Sequence, residues 1–104
     1  MITRIWHGRT ARNRADEYGA FLTLRAIPDY RGTAGNLDVV ILRRDEGEVS
    51  HFLTVTRWES EDAIRAFAGA ELLRAKYYEQ DEEFLLEFEP EVQHFTVVAS
   101  AAAM

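Results

Sequence analysis

Histidine is the residue type in this 104-residue sequence that is best suited to acid–base chemistry, and it occurs three times, as His7, His51 and His94. An imidazole gains and loses its proton near neutral pH, so a well-placed histidine can act as a general base. His7 lies in a stretch that is predicted to be a central strand, and we predict that it is the base. The alternative is a hydrogen-bonded core histidine with no catalytic role.

Aromatic side chains are the second group that could take part in chemistry. The hydroxyl groups of Tyr77 and Tyr78 could donate to a substrate oxygen, and Trp58 could stack on a ligand, although such residues are more often part of the core. We predict catalytic roles for His7, Tyr77 and Trp58. The predicted walls of the substrate pocket are Phe21, Leu22, Leu53, Val55, Phe67 and Tyr78.

Metal binding is a separate hypothesis. The three histidines fall on three adjacent predicted strands, and three imidazoles can form a metal site if they share one face. The sequence leaves this alternative open, and our prediction is a site without metal or cofactor. The acidic run EQDEEFLLEFEPE, residues 79–91, lacks the spacing of a calcium-binding loop, so we interpret it as a solvated helix face.

Hydrophobic periodicity predicts the elements that must position these residues. Period-two patterns predict four strands, at residues 2–9, 37–44, 49–58 and 91–98. The first helix is predicted to end at Ile27, because the residue before a proline is pushed out of the α region. A second helix is predicted after Ser60, and a further helical piece over residues 71–88. The order βαββαβ predicts an α+β, ferredoxin-like domain with a four-stranded antiparallel sheet in the strand order 4-1-3-2.

Both faces of the predicted sheet are largely apolar, so both are predicted to be covered. We predict that the face with His7, Leu53 and Val55 meets the helices and forms a pocket with them. The opposite face is predicted to be open in one subunit, and it carries Trp6, Phe52, Thr54, Thr56 and Trp58. An apolar sheet face of that size is rarely left in water, so we predict a homodimer in which two sheets form an α+β barrel.

Composition excludes several classes of function. Cysteine is absent from the sequence, which rules out thiolate catalysis and disulfides. The net charge of −6 repels phosphate backbones, so we predict no binding to nucleic acid. The sequence contains no apolar stretch of about 18 residues and no signal-peptide pattern at its start, so we expect no membrane insertion and a cytoplasmic location.

Three stretches, LTVTRWESEDAIRAF, AELLRAKYY and EVQHFTVV, resemble the antibiotic biosynthesis monooxygenase-like domain of the dimeric α+β barrel superfamily. The resemblance covers residues 1–98 and leaves residues 99–104 as a tail that we expect to be loosely ordered. It implies a homodimer with a pocket between the sheet and helices of each subunit. The family includes cofactor-independent oxygenases of phenols, quinol oxygenases, haem-degrading enzymes and members without an assigned activity.

The haem-degrading branch of this family has a catalytic Asn, Trp and His at the positions that are His7, Phe67 and Tyr77 here, so the resemblance does not extend to haem chemistry. It implies a cofactor-independent monooxygenase that oxidises a small phenolic, quinol or polyketide-like substrate with O₂. The substrate itself would supply the electrons. The alternative is a non-catalytic, small-molecule-binding or stress-associated dimer with the same barrel.

Overall fold

Within residues 1–101, which are those that the computed structural model describes, four strands form one antiparallel sheet. The strands are β1 (Ile2–Ala11), β2 (Asn36–Glu46), β3 (Val49–Trp58) and β4 (Gln93–Thr96). Their order across the sheet, β2-β3-β1-β4, confirms the predicted topology. β2 and β3 join in a tight hairpin, in which Gly47 has a φ of 60° that a side chain would resist. The predicted tail, residues 99–104, lies partly outside the described residues.

The first helical region is longer than predicted. It consists of a 3₁₀ turn (Arg12–Arg14), α1 (Ala15–Phe21), a π-helical segment (Leu22–Ala26) and α2 (Ile27–Arg31). The prediction that the helix ends at Ile27 is wrong, because Pro28 lies in the first turn of α2. The wide π turn just before it relieves the clash that a proline makes in a regular helix, and the missing N–H is not needed there.

The helix after β3, α3 (Glu61–Ala68), begins as predicted. The Ser60 side chain accepts a hydrogen bond from the backbone N–H of Ala63 and so caps the helix. Gly69 ends it with a φ of 102°. None of the helices within residues 1–101 has the length and apolar character that a membrane span requires.

Residues 69–92, which we call the strap, are mostly irregular. The helix predicted over residues 71–88 is wrong, since only Glu79–Glu83 form a 3₁₀ turn. Backbone groups of the strap bond to distant partners instead: the N–H of Val92 donates to the carbonyl of Leu73 at 2.8 Å, and the N–H of Ala75 donates to that of Pro90 at 2.9 Å. These bonds satisfy polar groups that a helix would otherwise pair.

A buried arginine fastens the strap to the sheet. The Arg4 side chain is only 2% exposed, and its guanidinium donates to the carbonyls of Leu72 and Arg74 at 2.8 Å each. Further along, the N–H of Leu86 donates to the carbonyl of Arg9 at 2.9 Å, beyond the short stretch of β1 that pairs with β4. The strap therefore crosses the edge of β1 that β4 leaves uncovered.

The helices cover the opposite face of the sheet from the one that we predicted. The buried side chains of β1 and β3 are those on one face: Arg4, Trp6, Thr10, Ser50, Phe52, Thr54, Thr56 and Trp58. His7, Leu53 and Val55 point to the other side, which we call the open face. The physical reason is bulk, because the large rings of Trp6, Phe52 and Trp58 fill the space under the helices better than aliphatic side chains would.

Candidate functional site on the open face of the sheet

The open face carries a chain of four titratable side chains at one end. His7 Nδ1 is hydrogen-bonded to the carboxylate of Glu89, and His7 Nε2 lies 3.0 Å from His51 Nδ1. His51 Nε2 in turn lies 3.4 Å from Glu46 Oε1. We call the Glu89–His7–His51 part of this chain the relay. His7 and His51 are diagonal neighbours on β1 and β3, since His7 pairs with Leu53 and His51 with Arg9.

One arrangement of protons satisfies every bond of the relay. An ionised Glu89 accepts the Nδ1–H of His7, which leaves a lone pair on His7 Nε2 to accept the Nδ1–H of His51. In this arrangement His51 Nε2 has a lone pair that can accept a proton, and the exposed Glu46 carboxylate 3.4 Å away is not hydrogen-bonded to it. A proton taken up by His51 would be stabilised through His7 by the Glu89 carboxylate, as in carboxylate–histidine pairs of hydrolases.

Tyr77 holds Glu89 in place. Its hydroxyl donates to the backbone carbonyl of Glu89 at 2.5 Å, and burial raises the pKa of this phenol. Two of the three residues predicted to be catalytic, His7 and Tyr77, thus meet at Glu89, although only His7 touches its side chain. The interpretation of residues 79–91 as a solvated face missed Glu89, because nothing in the acidic run distinguishes this residue from its neighbours.

The relay ends in a hollow of about 470 Å³ on the open face. The hollow is lined by His7, Leu42, Arg43, Arg44, His51 and Leu53. A second hollow of about 480 Å³ adjoins it and shares His7 and Leu53. Of the predicted pocket walls, Leu53 lines both hollows, and Val55 lies two residues along β3 on the same face.

The space between the sheet and the helices is nearly closed, which contradicts the predicted position of the pocket. The cavity there measures about 10 Å³, room for about one water molecule. Its lining includes the predicted residues Leu22 and Tyr78, while Phe21 and Phe67 pack against neighbouring rings. Trp58 is fully buried in this core and donates its indole N–H to Thr56 at 2.8 Å, so it lies apart from the relay.

The helix side also contains polar groups that the sequence interpretation missed. Asp81 is 2% exposed, although we predicted a solvated position, and it accepts hydrogen bonds from the Tyr18 hydroxyl at 2.8 Å and the Tyr78 N–H at 2.6 Å. Burial outweighs these bonds and raises the pKa of Asp81. The buried Trp6 indole N–H has no hydrogen-bond partner among residues 1–101.

A second acid on the helix side, Asp29, is stabilised in its ionised form by its neighbours. Asp29 accepts hydrogen bonds from the Tyr78 hydroxyl at 2.5 Å and from Lys76 Nζ at 2.9 Å. Burial opposes ionisation of this carboxyl, but the two hydrogen bonds and the charge of Lys76 outweigh it and lower the pKa of Asp29. The polar groups on the helix side are therefore mostly satisfied by one another.

The three histidines do not form one metal site. His94 pairs with Arg4 in the sheet and lies on the helix side, where Arg4 Nη1 approaches its Nε2 to 2.9 Å. Burial and the charge of Arg4 lower the pKa of His94. Within the described chain, no cluster of three or more potential ligands has the geometry to hold a metal ion.

Comparison with known proteins shows what fold this arrangement belongs to. No family model matches the sequence, and no curated protein matches it significantly. Among solved structures, a Bacillus cereus protein provisionally named an antibiotic biosynthesis monooxygenase is similar, with 17% identity, a TM-score of 0.66 and coverage of 100% of this chain and 97% of that one.

Two structures of the haem degrader MhuD are also similar. MhuD from Mycobacterium tuberculosis, with two haems in its active site, has 21% identity and a TM-score of 0.65, and covers 98% of this chain and 100% of its own. A mutant of MhuD with two manganese protoporphyrins per active site has 20% identity and a TM-score of 0.62. The match covers 99% of this chain and 100% of that one. The chain therefore has the α+β, ferredoxin-like fold of the antibiotic biosynthesis monooxygenase-like proteins.

Proposed function

We propose that this protein oxidises a small phenolic or quinol substrate with O₂, without a prosthetic group, in the hollow on its open face. The observation that carries the proposal is the relay, in which Glu89 orients His7, His7 orients His51, and His51 ends in the hollow of about 470 Å³. Such a chain is suited to removing a proton from a weakly acidic hydroxyl. The fold likeness to oxygenases is consistent with this but does not establish it.

The reaction begins when His51 Nε2 takes the proton of a phenol. The phenolate is electron-rich and gives one electron to O₂, after which the two radicals combine at a ring carbon to form a peroxide. His51 returns its proton to this peroxide, and loss of water, with the hydrogen of the same ring carbon, then leaves a quinone. The sum is one phenol and one O₂ converted to one quinone and one water, so the substrate supplies all the electrons.

The remaining parts of the site have supporting roles in this proposal. Leu42 and Leu53 give the hollow an apolar floor, which disfavours water near the reacting ring. Glu89 stabilises the positive charge that the relay acquires, and Tyr77 positions Glu89 through its backbone. Tyr77 is thus a positioning residue in this scheme.

A second copy of the chain would close the hollow, and we propose a homodimer through the open face. This face exposes Val40, Leu42 and Phe95, whose exposed fractions are 47%, 45% and 52%. Ile5 lies next to them, half-buried. Apolar residues gathered on one unpartnered sheet face favour association between copies. The face differs from the one predicted from the sequence, but the reason for the dimer is the same.

A haem group does not fit the helix side of this chain. The cavity of about 10 Å³ is bounded by packed rings, and Tyr77 donates its hydroxyl to a backbone carbonyl at 2.5 Å, so it is not directed at a ligand. No step of the proposed reaction involves haem.

The second candidate function is ligand binding without reaction. It is favoured by the engagement of both imidazoles, since His7 has two partners and His51 lies near Glu46 as well as His7. In this candidate the bonded histidines have the purely structural role of holding β1, β3 and the strap together.

Oxygen uptake with a panel of phenols and hydroquinones distinguishes the two candidates. We expect His51→Gln to lower kcat/KM by about 100- to 1,000-fold, because the base is lost, and Glu89→Gln to lower it by about tenfold. The matched control is His94→Gln, which changes the histidine on the helix side. Equal rates for the wild type and His51→Gln would remove the relay from the mechanism. Binding of several phenols without O₂ uptake would establish the second candidate. A Soret band on addition of haem would show haem binding, which neither candidate includes.

A further inference from the structure

The wall of the relay hollow indicates what kind of substrate it accepts. Among the residues that line the hollow, two are arginines and none is a carboxylate. Two carboxylates contact this wall from outside the lining: Glu89 bonds to His7, and Glu46 makes long contacts of 3.4 Å to His51 and 3.5 Å to Arg44. The side chains that line the hollow itself are positive or neutral. Such a wall favours a ligand that carries negative charge before it reaches the base.

The two arginines differ in how much of their hydrogen-bonding capacity is already used. Arg43 donates to Asp16 Oδ1 at 2.6 Å and to Asp45 Oδ1 at 2.8 Å, and these two carboxylates raise the pKa of its guanidinium. An arginine held by two acids is not available to a ligand without breaking both contacts. Arg43 therefore links the hairpin to α1.

Arg44 is the more available of the two. Its side chain is 71% exposed, and its contact with Glu46 is long, at 3.5 Å, to a carboxylate that is itself 67% exposed. A contact of that length between exposed groups contributes little and exchanges readily. Most of the five N–H donors of the guanidinium can therefore bond to a ligand.

Arg44 also has the right position relative to the base. It pairs directly with His51 across β2 and β3, so the two side chains leave the open face next to each other. Side chains paired in this way have Cβ atoms about 4.5–5.5 Å apart, less than the length of a substituted benzene ring. One small aromatic molecule can reach both groups.

From this arrangement we infer that the substrate is a phenol or hydroquinone that carries a carboxylate, with Arg44 binding the carboxylate and His51 facing the hydroxyl. A guanidinium matches a carboxylate with two parallel hydrogen bonds, which fixes the plane of the ligand as well as its position. Arg44 would determine specificity, while the relay would carry out the chemistry. The reaction at His51 rests on the proposed function, but the binding of the carboxylate by Arg44 does not.

A matched pair of probes tests this: 2,5-dihydroxybenzoate and its methyl ester, which have similar shape and the same two hydroxyls but differ in charge. We expect the wild type to favour the acid over the ester in kcat/KM by about 10- to 100-fold, as for a hydrogen-bonded charge pair. Arg44→Gln should abolish that preference, chiefly through KM. Arg65→Gln is the control, because it removes the same charge from α3, outside the lining of the hollow, and it should keep the preference.

The test separates failure of the inference from failure of the proposed function. Equal kcat/KM for acid and ester in the wild type, or an acid preference that survives Arg44→Gln, overturns the inference while leaving the oxidation standing. If neither probe consumes O₂, titration calorimetry with the same pair decides. Tighter binding of the acid that is lost in Arg44→Gln supports the inference without the reaction, and equal binding of acid and ester overturns it.

Discussion

The two faces of the sheet are built from alternate residues of the same strands, yet they differ in almost every physical respect. On the helix side, Trp6, Phe52 and Trp58 pack against rings from the helices and leave a cavity of only about 10 Å³. On the open face, two hollows of about 470 and 480 Å³ adjoin a pair of hydrogen-bonded imidazoles. One side of the sheet thus contains the buried aromatic core, and the other carries its imidazoles on a partly exposed surface.

The largest expected effect tests whether stability does come from the helix side. Trp58→Ala removes a fully buried ring and should lower the free energy of unfolding by about 3–5 kcal/mol, since the surrounding rings cannot collapse into the space. Leu42→Ala, on the open face, should cost less than about 1 kcal/mol. Urea unfolding measures both. A similar cost for the two variants would abolish the distinction between the faces.

The next effect tests whether the open face binds a second copy. Val40→Lys places a charge in the proposed interface twice, once from each subunit, and should weaken self-association by at least about 100-fold. Leu24→Lys is the matched control, because Leu24 is 78% exposed on the helical layer. Sedimentation velocity at micromolar concentration gives the result. A wild-type monomer, or a Val40→Lys dimer as tight as the wild type, would contradict the proposal.

The smallest effect concerns the buried acid of the helix side. Burial raises the pKa of Asp81 above its ordinary value of 3.8, so the folded state holds this proton more tightly than the unfolded chain does. The contribution of Asp81 to stability is therefore complete at pH values below 3.8 and is lost as the pH rises through the raised pKa. Asp81→Asn removes this dependence.

Unfolding free energies of the wild type and Asp81→Asn, measured in urea from pH 3 to pH 8, check the sign. The wild type should lose stability relative to the variant as the pH rises. The other carboxylates contribute equally to both proteins and cancel in the difference. A difference that is constant with pH, or that changes in favour of the wild type, would show that burial does not raise the pKa of Asp81.

The order of the elements and the topology of the sheet could be predicted because they depend on patterns within short stretches. The cap at Ser60, the turn at Gly47 and the period-two runs are all readable from neighbouring residues. The assignment of faces could not be predicted in the same way. Alternation separates Phe52 from Leu53, but both are apolar, and only packing against the helices decides which of them is covered.

The site was predictable in its chemistry but not in its connections. His7 was selected because an imidazole suits a base, and Tyr77 because a phenol can donate. Glu89, which connects them, is 82 residues from His7 in the sequence. That contact depends on the irregular path of the strap, which periodicity misread as a helix.

The strap makes contacts on both faces of the sheet. Its first half lies on the helix side, where Arg4 donates to the carbonyls of Leu72 and Arg74. Its second half positions Glu89 next to His7. A stretch with so few repeating backbone bonds frays before a four-stranded sheet melts. Heat would then separate the Glu89 carboxylate from the His7 imidazole while the strands are still paired. The stability of the strap, and not that of the sheet, would therefore set the temperature at which the site stops working.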